Sequence, residues 1–475
     1  MMTTTQSETS QLSADYNKGY VWTISFVAAL GGLLFGYDWV VIGGAKPFYE
    51  KFFGLTDVGM QGWAMSCALV GCLIGAIVSG GWSDKLGRKR LLLLSAFLFA
   101  ISSVGTGLAN SFTVFVVWRI IGGVAIGLAS NLSPMYIAEV APAQARGKLV
   151  AINQLTVVIG ILIAQVVNFL IADKVPAKAT AQEILQSWNG QTGWRWMFGV
   201  TAIPSVLFFI GMWLVPESPR WLAKNGGSTR AREILAKIGG DKYAGQALEE
   251  INASVAKEMQ QVNFRDLLEP GMRKVLMIGI VLAVFQQWCG INVIFNYAEE
   301  IFSAAGYDVS DILKNIAWTG SVNLAFTFVA LGLVDRRGHR PLMLFGAMSL
   351  AAIYTLMGFC YAGHVQGWPM LILVLAAIAC YSMSLAPVVW VVISEIFPNR
   401  IRGAAVSVGI GSLWIACFCL TYGFPSMNKY LGPAKTFWIF AAICVAGFTF
   451  IKFFLPETKG KTLEQIEKEL VSTKP

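Results

Sequence analysis

The chain has 475 residues, 56% of them hydrophobic and only 13% charged, and its mean hydropathy is +0.61. A soluble chain of this length would be about a quarter charged and would divide into two or three domains with polar stretches between them, so an ordinary soluble protein is excluded. The 48 glycines lie inside apolar runs rather than polar tracts, which argues against disorder and leaves a membrane-embedded helical bundle.

Residues 1–18 are polar and rich in Ser and Thr, and lack the order of basic, apolar and small residues that marks a signal peptide; they read as a cytoplasmic tail. A helix needs about 20 mostly apolar residues to cross hydrocarbon. Twelve stretches qualify, centred near Leu33, Gly71, Phe99, Val124, Gly160, Leu207, Ala283, Phe326, Leu350, Ala379, Ile410 and Ala442. An even count puts both chain ends on one side. The segments on that side carry 27 Lys and Arg, whereas the opposite loops carry six: Lys46, Lys51, Lys174, Lys178, Lys429 and Lys435. The positive-inside rule therefore makes both termini cytoplasmic, and the lack of an Asn-x-Ser/Thr sequon in the external loops fits a cell (inner) membrane of a bacterium. The net charge of +9 follows from that asymmetry and gives no reason to expect nucleic acid as a partner.

The expected division is a tail over 1–18, six helices over 19–215, a cytoplasmic linker with short amphipathic helices over 216–272, six helices over 273–455 and a cytoplasmic tail over 456–475. Repeated motifs support it. The run from Asp84 through Gly87 and Arg88 to Arg90 after span two is echoed by the run from Asp335 through Gly338 to Arg340 after span eight. Glu139 precedes Arg146 by seven positions, and Glu395 precedes Arg402 by the same seven. Pro216-Glu217-Ser218 after span six matches Pro456-Glu457-Thr458 after span twelve. Two similar six-helix halves are the signature of a secondary transporter. The eight cysteines all fall in apolar stretches, where they read as packing residues rather than disulfide staples, and no Cys/His cluster has ligand spacing, so no metal is expected.

The ordered set of motifs resembles the sugar porter family of the major facilitator superfamily, which includes bacterial proton-coupled xylose, arabinose and glucose transporters. The resemblance runs from Gly31–Asp38 through Arg119 to Gly123, Pro134–Glu139, Pro216–Leu222, Gln286–Asn292 and Glu395–Pro398 to Pro456–Gly460. It implies an all-α membrane fold of twelve helices in two pseudo-symmetric halves, and transport rather than an enzymatic reaction.

Asp38 in span one and Arg119 in span four stand out among the span centres, and burying a charge in a bilayer costs at least about 2.5 kcal/mol, so both face the protein interior. A nearby guanidinium would hold the Asp38 pKa down, and sugar arrival or a helix tilt that parts the pair would raise it, making Asp38 a proton-site candidate. The resemblance adds that proton-coupled members carry Asp here and uniporting relatives tend to carry Asn. A purely structural pair is the alternative. One proton crossing 100 mV yields about 2.3 kcal/mol and one pH unit about 1.4, together enough for a several-hundred-fold sugar gradient.

Gln154, Gln286, Gln287, Asn292 and Asn323 each offer a donor and an acceptor, as a sugar hydroxyl does, and imply a neutral polyol. The resemblance sharpens this to a monosaccharide, pentose or hexose, and picks Trp390 and Trp414 as flat faces for the C–H side of the ring. Phe35 is a further candidate, with core packing its alternative. The resemblance also casts Asp84, Arg88, Glu139 and Arg146, and Asp335, Arg336, Glu395 and Arg402, as ion-pair latches that close the inner face when the site opens outward. Departures occur at Ile161, where xylose-type porters carry Gln, at Asn296 in place of a Tyr, at Ala386 in place of Gly, and at Leu413, where an amide is common.

The reading is a proton–monosaccharide symporter working by alternating access, with the proton as coupling ion, no cofactor, no ATP-binding subunit, and one chain sufficient. A sugar uniporter is the near alternative. A transport-deficient sugar sensor is the more distant one, since sensors carry long tails and only about 20 residues follow span twelve.

Overall fold

The computed structural model describes residues 16–176, 179–258, 269–397 and 402–459, and every element among them is helical. The first half holds α1 (Lys18–Phe52), α2 (Val58–Leu86), α3 (Arg88–Gly107), α4 (Phe112–Val140) and α5 (Arg146–Ile171), then the short α6 (Ala181–Gln186). Its sixth span is pieced together from a π-helical turn at Asn189–Gly193, α7 (Trp194–Gly199) and α8 (Ala202–Leu214). α9 (Pro219–Lys224) and α10 (Ser228–Glu258) form the linker. The second half holds α11 (Pro270–Trp288), α12 (Ile291–Asn296), α13 (Ala298–Ala304), α14 (Val309–Arg337), α15 (His339–Ala362), α16 (Trp368–Ser382), α17 (Leu385–Ile396), α18 (Arg402–Leu431) and α19 (Pro433–Phe454). Among the described residues twelve stretches are long and apolar enough to cross a membrane, α11 with α12 making one and α16 with α17 another. We call the face where Lys18 and Phe454 lie the terminal face and the other the distal face.

The pairing of spans repeats between halves. In the first, α1 packs on α5, α2 on α4 and α3 on α8; in the second, α11 packs on α18, α14 on α16 and α15 on α19. The halves meet through α2 against α18 and α5 against α14, two contacts that the same pseudo-twofold exchanges. Small residues make the closest approaches. A Cβ on Gly71 or Gly75 of α2 would overlap the α4 backbone, and one on Gly123 or Gly127 of α4 would overlap the α2 backbone, so both helices carry glycines four apart on the contact face.

Two expectations are refined. α1 continues through Pro47 to Phe52, so Lys46 and Lys51 stand on a helix rather than in a loop. Arg195 and Lys314 lie near the distal ends of their spans, which raises the distal count of basic residues and leaves the terminal side still far richer. The linker is helical as its periodicity suggested: Ala231, Ile234, Leu235 and Ile238 are buried along one stripe of α10, which kinks at Gly239–Gly240.

Gly123→Leu is expected to place a side chain into the Ala68 carbonyl and cost at least about 1–3 kcal/mol. Thermal unfolding in detergent checks this against Gly199→Ala, which has open space around its Cβ and should unfold with the wild type; equal midpoints for both variants would contradict the α2–α4 packing.

Candidate functional site

Asp38 of α1 and Arg119 of α4 meet in the middle of the first half. The Arg119 Nη1 donates to both carboxylate oxygens of Asp38, at 2.9 and 3.0 Å, and the guanidinium lies over the Phe198 ring at 5.4 Å from its centroid. Both side chains are buried, and the Arg119 Nε is covered without a hydrogen-bond partner among the described residues. One proton on Asp38 would remove the charge that holds the guanidinium, so the pair has two distinct electrostatic states. A small cavity borders it, lined mainly by first-half residues, Asp38, Trp39 and Arg119 among them, and closed by Asn296 and Thr421 from the second half. The ion pair thus borders the seam between the halves.

Across that seam, α11 ends at Trp288 and Gly290 turns the chain with φ +88°, a conformation that costs a glycine little. The break brings Asn292 back toward the end of α11. Asn292 Nδ2 donates to Gln287 Oε1 at 2.5 Å, and Gln287 Nε2 donates to Gln286 Oε1 at 3.2 Å. A second break separates α16 from α17 at Met383–Ser384, where Pro387 has no N–H to return to the preceding turn. Asn323 of α14 accepts from Ser382 Oγ at 2.7 Å just before that break. Discontinuous helices at the midplane leave polar groups unspent by the helix itself, which is how secondary transporters line a site.

Aromatic rings close the seam. Phe35 and Trp39 of α1 and Trp414 of α18 form a triangle with centroid separations of 5.9, 6.3 and 5.9 Å. Of the sequence candidates, Asp38, Arg119, Phe35, Trp414, Gln286, Gln287, Asn292 and Asn323 fall on these contacts, whereas Gln154 and Trp390 are exposed side chains outside them. Among the departures, Ile161 and Leu413 are buried, Ala386 is half-buried, and Asn296 stands on the cavity with its Oδ1 covered and unpartnered.

On the terminal face, Arg88 donates to Asp84 at 3.1 Å and to Glu139 at 2.9 Å, and Lys224 of α9 reaches Asp84 at 2.7 Å. In the second half His339, not Arg336, meets Glu395, at 3.3 Å, while Arg336 is exposed. Arg146 is exposed at the start of α5 and faces Tyr243 of α10. The side chains of Asp335 and Arg402 lie outside the described residues. Each of these described pairs stays within one half or ties it to the linker.

Three groups of residues escaped the sequence argument. Glu217 accepts from the backbone N–H of Arg88 and Lys89 at 3.0 and 3.1 Å, and Glu457 accepts from those of His339 and Arg340 at 3.0 and 3.2 Å. The repeated Pro-Glu-Ser/Thr thus caps the helix that begins after Gly87 and Gly338, satisfying orphan donors at its positive end. The motif's repetition was visible, but its target lies more than a hundred residues away. Gln165 Nε2 donates to Thr319 Oγ1 at 3.2 Å across the halves. Lys46 gathers Glu50, Glu299 and Glu300 on the distal face; its burial was hidden because α1 outruns its apolar core.

The sequence matches the family profile described as "Sugar (and other) transporter" over residues 24–470. It is 38% identical to the D-xylose-proton symporter of Escherichia coli, covering 96% of this chain and 97% of that protein. It is also 38% identical to the arabinose-proton symporter of Bacillus subtilis, covering 96% of each. The fold superposes on the inward-open xylose transporter of E. coli with a TM-score of 0.81 and 37% identity, covering 95% of this chain and all of the other. These matches span nearly the whole molecule and agree with the twelve-helix fold and its paired halves: the chain belongs to the sugar porter family of the major facilitator superfamily.

Proposed function

We propose that this chain is a proton-coupled monosaccharide symporter working by alternating access, with sugar bound at the seam and Asp38 as the proton site. The observation that carries the reading is the buried Asp38–Arg119 pair bordering a small cavity that Asn296 and Thr421 of the other half help to line. A proton arriving at Asp38 releases the guanidinium, and a sugar contacting both halves draws them together; the two events meet in one cavity, so each alters the cost of the other. Gln286, Gln287, Asn292 and Asn323 supply paired donors and acceptors for hydroxyls, and Phe35, Trp39 and Trp414 supply flat faces. Gln154 and Trp390 complete the pocket from exposed positions once the halves close.

The terminal face is cytoplasmic in this reading, by its excess of basic residues, and the membrane is a bacterial inner membrane. The distal contacts between halves and the within-half pairing of Arg88 and Glu395 suit an inward-facing form. In the outward-facing form the terminal-face charges, Arg146, Arg336, Asp335 and Arg402 among them, come together across the seam. Sugar and proton are the partners, one chain suffices, and the chain carries out no chemical conversion.

Proteoliposomes with labelled D-xylose, L-arabinose and D-glucose test this. An imposed inward proton gradient is expected to drive accumulation of one of these sugars, and Asp38→Asn is expected to abolish accumulation while leaving counterflow. Equilibration unaffected by gradient or variant would mean a uniporter, and no uptake of any sugar would reject transport of these substrates. Stability separates coupling from structure. Arg119→Leu should cost about 3–5 kcal/mol by stranding a buried carboxylate, and Arg119→Leu with Asp38→Asn should regain most of it. Additive losses in thermal unfolding would show that the pair does not act as a unit.

A further inference from the structure

We propose that Lys46, Glu50, Glu299 and Glu300 form a second proton-binding site, a distal clasp between the halves that holds one proton while closed and releases it to the distal side on opening. This inference rests on the alternating-access reading above. Lys46 belongs to α1 of the first half, and Glu299 and Glu300 to α13 of the second. Its ammonium lies 3.2 Å from Glu50, 3.2 Å from Glu299 and 2.6 Å from Glu300, and its side chain keeps only 4% of its surface exposed. The clasp sits where α1 touches α12 and α13, with Tyr297 beside it: the Tyr297 hydroxyl donates to the Thr421 carbonyl of α18, and the Lys46 ammonium stands 6.0 Å over the Tyr297 ring.

The charge does not balance. Three carboxylates face one buried ammonium, and Lys51, the next cation on α1, donates to the Pro47 carbonyl and still leaves one negative charge in excess. Among the described residues the other titratable groups facing the cluster are Tyr49 from α1, Tyr297 from the α12–α13 junction and, through these two, Cys67 from α2 and Cys417 from α18. Two covered carboxylate oxygens of the cluster, Glu50 Oε1 and Glu300 Oε2, have no hydrogen-bond partner among the described residues, so the cluster is short of donors as well as of positive charge. Burial, with the neighbouring Glu299 and Glu50 charges, pushes the Glu300 carboxyl up to about 8 despite Lys46. Parting the halves separates Lys46 from Glu299 and Glu300 and opens all three carboxylates to water, where a glutamate titrates near 4.3.

The sign follows from the two affinities. The closed form binds the proton more tightly, so acid favours distal closure, and closure is lost as pH rises toward about 8. Because the proton enters and leaves on the same side, it is not transported and adds nothing to the coupling stoichiometry; it sets how readily the site opens distally.

The test uses the full chain carrying Asp38→Asn, which removes the other proton site. Spin labels at Thr56→Cys and Ser303→Cys, with the native cysteines replaced, report the distal separation of the halves by pulsed electron resonance. The ratio of distally open to closed forms is expected to rise roughly tenfold per pH unit from pH 6 to about 8 and to level off above. Glu300→Gln should abolish that dependence, and Lys46→Met should favour the open form at every pH. A pH-independent ratio, or an unchanged profile in Glu300→Gln, overturns the proposal. Sugar counterflow in proteoliposomes, measured in parallel with native cysteines, keeps the two readings apart. Distances that titrate without any sugar exchange would reject transport of the sugars tried and uphold the clasp, whereas exchange with a flat profile in both assays would do the reverse.

Discussion

A charge in hydrocarbon must be paired or absent, and in a chain so poor in ionisable residues this constraint decides where the charged side chains can be. Among the described residues, three buried clusters hold such charges. Asp38 and Arg119 meet midway, Arg88 meets Asp84 and Glu139 at the terminal face, and Lys46 meets three glutamates at the distal face. The middle pair borders the seam without crossing it. It is confined to the first half, so it cannot act as a strut between the halves, and it borders a small cavity that Asn296 and Thr421 of the second half help to line. A group whose charge state changes there alters the electrostatics of the seam without dismantling either bundle.

The halves are built to move as bodies. Within the first, glycines let α2 lie against α4 backbone to backbone, and α1 approaches α5 in the same way through Gly36 and Gly160. Such contacts have no side-chain layer to yield, which stiffens the first bundle. The irregular elements are placed where yielding is useful: the breaks at Gly290 and before Leu385 lie in the two spans that carry the amide cluster and its neighbours. The Glu217 and Glu457 caps fasten the terminal ends of α3 and α15 to the segments after the sixth and twelfth spans, which keeps each half's outer helices in register.

The fold was legible because apolar length and the repeat of motifs are local signals. Twelve spans, two halves and the helical linker could be read from them. The central pair was legible for the same reason: a lone Asp and a lone Arg in apolar runs have few alternatives to each other. What was not legible depends on distances along the chain or on helix ends. Lys46 was counted with the loop residues because Pro47 and the charges around it look like the end of a span, although Pro47 lies inside α1. His339 rather than Arg336 pairs with Glu395, since the turn at Gly338 points the first residue of α15 inward. The exposure of Gln154 and Trp390 was likewise beyond reach, because it depends on how the spans pack around them.

The most direct test of the central claim is to watch the proton itself. Adding the transported sugar to lightly buffered proteoliposomes under no imposed gradient should alkalinise the medium as protons enter with it. The account predicts this signal in the wild-type chain and its loss in Asp38→Asn, with sugar counterflow retained. An equal alkalinisation in Asp38→Asn would contradict it, because the coupled proton would then be carried somewhere other than the Asp38–Arg119 pair.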